Sequence, residues 1–152
     1  MKLILLLSIF SYSLSLFACP KLQGRYGNCY SEIKKFDGEF VIDQHQENNY
    51  EVYNVDFNNS NTGEHRTEVI KTDNKRELRS EKVPSIGLSV KIDVHSHCEG
   101  DAVISDADVY FLGAKVGSFV SKFIIDGKLL KSNVDGAYLN TPFHKRIVCE
   151  LE

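Results

Sequence analysis

The sequence predicts an all-β protein: one up-and-down antiparallel β-barrel of eight to ten strands, with a β-sandwich as the alternative architecture. Three observations predict it. Apolar and polar residues alternate with period 2 through most of the chain, as in Leu88, Val90, Ile92, Val94 against Ser89, Lys91, Asp93, His95. Turn-forming residues separate these runs at short spacing, so each strand should pair with its sequence neighbour. No long stretch carries the 3.6-residue period of an amphipathic helix. A meander of this length leaves two edges unless it closes on itself, which favours a barrel.

The chain starts with a segment that stands apart. Met1 and Lys2 precede an apolar, serine-broken run from Leu3 to Phe17, and the small Ala18 follows. This is the pattern of a secretory signal, too short and too rich in serine to serve as a bilayer span. The expected organisation is a signal peptide over 1–18 and a single β-barrel domain over 19–152. Removing 18 of 152 residues leaves 134, enough for one core. With 42% hydrophobic and 26% charged residues, the chain is neither disordered nor membrane-embedded as a whole. A formal net charge of −3, with no long basic run, argues against nucleic acid as a partner. A monomer without a membrane span, in the periplasm or outside the cell, is expected.

The strands follow in order. The first covers about 22–29. Phe40 and Ile42 mark one over 38–46, and Tyr53, Val55 and Phe57 one over 50–57, with Asn48-Asn49 as the turn between them. Strands near 65–72 and 75–81 flank Asp73-Asn74; the second is mostly charged and reads as an exposed edge or a short helical turn. The strongest alternation spans 87–98 and 102–112, joined at Glu99-Gly100-Asp101. Phe119, Ser121, Phe123 and Ile125 share a face of 115–125. Asp126-Gly127 suits a type I′ turn into 128–134. Ile147, Cys149 and Leu151 share a face of the last strand, 143–151. A membrane barrel is disfavoured because Lys91, Asp93, Asp106 and Asp108 would face lipid.

Four cysteines, Cys19, Cys29, Cys98 and Cys149, all follow the leader. In an oxidising compartment they predict two disulfides, in any of three pairings. First and last strands are neighbours in a closed barrel, so bridges tying the terminal strands into the sheet are favoured. No C-x-x-C spacing supports a thiolate zinc site. Leu16-Phe17-Ala18-Cys19 is also similar to a bacterial lipobox, which would attach a lipid to Cys19 instead.

Cys19-Pro20-Lys21-Leu22-Gln23-Gly24-Arg25-Tyr26 resembles the G-x-W element of lipocalin-like proteins, with Tyr26 where that family has tryptophan. The resemblance implies that Tyr26 plugs one barrel end and that Arg146, on the last strand, packs over it. The same stretch, with Cys29, resembles small exported bacterial proteins that begin C-P-x-L-x-G-x-Y, a likeness that brings no activity with it.

The expected function is non-catalytic binding of a small apolar or amphipathic ligand. Small inward residues, among them Ser105, Ala107, Ser118 and Ser121, leave room inside, and Tyr26, Tyr50, Tyr53, Tyr110 and Arg146 are the candidate ligand-binding groups. The alternative is a protein-interaction module that presents loops 58–64 and 134–142 to an envelope partner, as the periplasmic lysozyme inhibitors it also resembles do. His95 and His97 form an H-x-H pair for which Asp106 or Asp108 would be a third metal ligand. Strand parity sends both histidines outward, so the expectation is a solvated pair and no metal. Asp106 and Asp108 lack the cleft that paired catalytic carboxylates need. No nucleophile or phosphate-loop motif appears, so neither an enzyme nor a cofactor is expected. Asn58-Asn59-Ser60 reads as an ordinary turn rather than a glycosylation acceptor.

Overall fold

The computed structural model describes residues 18–32, 34–82 and 87–152. The predicted signal peptide lies, apart from Ala18, outside them. The described residues form strands β1 (Gly24–Ser31), β2 (Lys34–Lys35), β3 (Gly38–Glu47), β4 (Tyr50–Asn59), β5 (Glu64–Lys71), β6 (Arg76–Lys82), β7 (Ser89–Glu99), β8 (Ala102–Phe111), β9 (Ala114–Asp126), β10 (Leu129–Tyr138) and β11 (Thr141–Leu151). No helix of these residues is long and apolar enough to cross a membrane.

All pairings are antiparallel, and the sheet runs β5-β4-β3-β1-β11-β10-β9-β8-β7-β6, with β2 a short flap on β1. The sheet is therefore a curled meander whose first and last long strands meet, β1 on β11, as the barrel reading requires. It stays unzipped at one place, between β5 and β6, although only residues 72–75 separate them in the chain. The ten predicted strands are all present, and β2 is the additional one.

Alternation sets the inner face. Phe40, Ile42, Tyr53, Val55, Phe57, Val103 and Phe123 point inward and are buried, and Leu130, Ile147 and Cys149 join them in the main core. A second, smaller cluster holds Val90, Ile92, Val94 and Ala107, with Val109, Phe111 and Phe119 packed on it. Ser118 is a correction: Ser121 is buried on the inner face, and Ser118 has the opposite strand parity. Leu88 is another, since it precedes β7 and is exposed.

One end of the curl is plugged by the chain entering it. Residues 18–23 cross that end as a strap with Leu22 fully buried. The Tyr26 hydroxyl donates to the Leu22 carbonyl at 2.8 Å, and the Tyr53 hydroxyl donates to the Pro20 carbonyl at 2.8 Å. The Gln44 side chain accepts from the Leu22 N–H and donates to the Pro20 carbonyl. Thus the strap's polar backbone groups find partners in a buried place, where leaving them unpaired would be costly. Gly24 permits the tight approach here: a Cβ would lie 2.7 Å from Leu151 and 3.3 Å from the Tyr26 ring.

Two disulfides tie the curl together. Cys19–Cys98 staples the strap to β7, and Cys29–Cys149 joins β1 to β11. The second depends on a β-bulge. Between Gly27 and Tyr30 the β1–β11 register shifts by one residue, and Asn28 adopts a φ of 48°. The extra residue restores Cys29 to the inner face, where it meets Cys149. Structural disulfides persist in oxidising compartments, so the pair is consistent with an exported protein.

The turns follow their residues, with one correction. Asp126 is the last residue of β9, so the two-residue loop is Gly127-Lys128. Gly127 alone carries positive φ there (61°), which is the type II′ pattern rather than the expected I′.

Candidate functional site

The strands that leave the sheet open carry charge on both faces. On β5 the inward positions are Glu64, Arg66, Glu68 and Ile70, set by pairing with Asn59, Phe57, Val55 and Tyr53. On β6 the inward positions are Glu77, Arg79 and Glu81, opposite Val94, Ile92 and Val90. Only Ile70 among these is an apolar core residue, so closing the seam would bury charge for little hydrophobic return.

A groove of about 170 Å³ lies at the seam. Lys71, Asp73, Lys75, Arg76, Glu77 and Arg79 line its edges, and Val94 and Ser96 form its inner wall. Four cations against two anions give this lining a net positive charge. Arg79 spans the gap, donating from Nη2 to the Val69 carbonyl at 2.7 Å and pairing with Glu77 at 2.9 Å. Glu68 has solvent-exposed surface, yet protein surrounds it closely enough that desolvation pushes its carboxyl above the usual range. Arg79 and Arg66 oppose that rise and Glu81 adds to it. A side chain both wet and desolvated is what a concave trough produces.

Inside the seam, polar and apolar surfaces meet. Ser96, Ser105 and Ser121 stand in register across β7, β8 and β9 and are all buried, with the Ser96 and Ser105 hydroxyls 2.7 Å apart. The smaller apolar cluster of β7–β9 continues from this serine row along the inner wall.

The expected ligand-binding residues are not gathered at one place. Tyr26 and Tyr53 are buried and hold the strap, and burial raises both hydroxyl pKa values. Tyr50 donates to Glu47 beside the 48–49 turn. Tyr110 is half-buried on β8. Arg146 is exposed and pairs in register with Asn133, whereas Tyr26 lies opposite Leu151, so the arginine-on-aromatic lid is not assembled. Sequence reasoning passed over Arg66, Glu68 and Arg79. Their signal was present: 64–71 and 75–81 are adjacent strands without a full apolar face.

On the outer face, His95, His97 and Asp106 come together, their candidate ligand atoms all within 4.8 Å. Asp108 does not join them; it pairs with Lys115 at 2.7 Å. Comparison with family models, curated proteins and solved structures finds no match to this chain.

Proposed function

We propose that the protein is an exported, non-catalytic binding module for a small anionic amphiphile. The carrying observation is the two-sided seam: a charged rim with Arg79 at its centre opens onto Val94 and Ser96, where the apolar β7–β9 wall begins. The head group would pair with Arg79, where charge-assisted bonds are strong. The groove is smaller than a typical drug-sized pocket, so the apolar part would extend along Val94, Ile92 and Val90. This keeps the logic of a lipocalin-like binder and moves its site from the barrel interior to the open seam.

The test uses 1-anilinonaphthalene-8-sulfonate, an anionic amphiphile, with the folded, oxidised protein. Saturable one-site binding is expected, weakened about tenfold or more by Arg79→Gln and largely kept by Arg79→Lys. Absence of saturable binding, or binding indifferent to Arg79→Gln, would overturn the reading.

A second reading, a protein-interaction module, is favoured by the hairpin tips opposite the strap. Leu112-Gly113 and Leu139-Asn140 all have positive φ, the type I′ pattern that ordinarily selects Asn or Gly. Leu112 is 91% exposed and Leu139 63%. Apolar side chains held in strained, solvent-facing turns fit presentation to a partner. Partner capture lost in a Leu112→Asn, Leu139→Asn double variant that remains folded would support this reading over the first.

A further inference from the structure

The histidine pair on β7 has surroundings that a solvated pair would not need. His95 Nδ1 is 3.0 Å from Asp106 Oδ1, directly across the β7–β8 register. Its other nitrogen, Nε2, is 2.8 Å from Asn74 Oδ1 in the β5–β6 turn. Both partners are accepting oxygens, so with Asn74 taking the Nε2 proton, Nδ1 is the nitrogen left to ligate an ion held between His95 and Asp106. That is how an outer partner fixes a ligating imidazole. The His97 ring lies 5.2 Å from that of His95, tilted by 30°. His97 Nδ1 is buried and has no hydrogen-bond partner among the described residues.

Arg76 completes the setting. Its guanidinium lies 3.6 Å from Asp106 Oδ2 and 3.3 Å from Asp93 Oδ2, which leaves Asp106 Oδ1 on the histidine side. The His95 and Asp106 side chains are 24% and 36% exposed, so the cluster sits in the surface rather than on it. The other three histidines each have a single acid beside them: Glu47 for His45, Asp56 for His65 and Asp135 for His144.

We propose that His95, His97 and Asp106 form a binding site for one divalent transition-metal ion of the zinc or copper class. Two imidazoles and one carboxylate are a donor set for such ions, and three protein ligands leave a fourth position for water. Metal–ligand bonds of about 2.0–2.2 Å put tetrahedral ligand atoms roughly 3.3 Å apart, so His95 and Asp106 are already close to position. The strands supply the rigidity: i and i+2 on β7 fix both imidazoles on one face, and register fixes Asp106 beside them.

The test is calorimetric titration of the untagged, oxidised, chelator-treated protein with zinc chloride and, separately, copper(II) chloride. One ion per chain is expected with at least one of the two metals. His97→Ala and Asp106→Asn should each weaken binding about tenfold or more, and His65→Ala should leave it unchanged. In the unaltered protein, the imidazole nitrogen resonances of His95 and His97 should shift on metal addition while that of His65 stays. Failure of both metals to bind stoichiometrically, full-strength binding in both ligand variants, or shifts confined to the other histidines would overturn the proposal.

Discussion

The closed side of this sheet and its open seam are built by the same alternating pattern and end differently. At β1–β11 the backbones pair, Leu22, Cys29 and Cys149 are fully buried, and a disulfide crosses the joint. At β5–β6 the strands are joined by a four-residue turn, yet they are not neighbours in the ladder; an Arg79 side chain reaches across to Val69. Chain proximity favours the seam, because a short loop costs little to close. Inner-face chemistry overrules it. Residues that gain by leaving water drew distant strands together, and Glu64, Arg66, Glu68, Glu77, Arg79 and Glu81 kept near ones apart. Exposed charges also protect the two free edges from pairing with other chains.

Four measurements would break or sharpen that contrast. The largest effect is expected on the closed side: Cys29→Ala with Cys149→Ala should cost about 2–5 kcal/mol in denaturant unfolding, because the bridge closes a long loop in the unfolded chain. A cost under about 1 kcal/mol would mean that backbone pairing and core alone hold β1 to β11. At the end opposite the strap the sign reverses. Leu112→Asn with Leu139→Asn should raise stability by about 1–2 kcal/mol, since asparagine tolerates the left-handed turn positions. Tyr53→Phe removes the hydroxyl that holds Pro20 and should lower stability by about 1 kcal/mol, read from the same unfolding curves.

The smallest effect belongs to the seam and is seen through pH. Glu68's carboxyl is raised in the folded state by desolvation, so folding disfavours its charged form. The folded protein therefore binds the proton more tightly than the unfolded chain does. That stabilising difference is full below the ordinary carboxyl value of 4.5 and is lost as pH rises through the folded value. Glu68→Gln should thus be the more stable protein at neutral pH relative to its own acid behaviour, with a flatter pH profile above 4.5. An unchanged profile would show that the trough is as wet as open solvent.

Much of the fold was legible in the residues. Val90, Ile92 and Val94, and Val103, Ser105 and Ala107, fixed which face turns inward, because period 2 leaves only two choices and one of them is apolar. The turns at 48–49, 100–101 and 127–128 were marked by their Asn and Gly residues. The site was less legible. Tyrosines read as cavity walls because an aromatic ring with a hydroxyl suits both a ligand and a buried backbone carbonyl. Which use applies depends on where residues 18–23 pass, and no local pattern states that. The His95, His97 and Asp106 grouping was visible in outline, since H-x-H on a strand followed by a tight turn places a neighbouring acid nearby. Asn74, Arg76 and the burial of His97 Nδ1 were not.

By itself, the sequence determined that this protein is a meander of short antiparallel strands with one apolar face and an even set of thiols. Those properties follow from side-chain alternation and turn chemistry, which act over a few residues. Only the tertiary structure decided where the sheet closes, which cysteines meet and where the surface opens. A single extra residue at Asn28 turns Cys29 inward to Cys149, and the strap's course brings Cys19 to Cys98. Such outcomes depend on the summed free energy of bringing distant strands together, and alternation within one strand does not contain that sum.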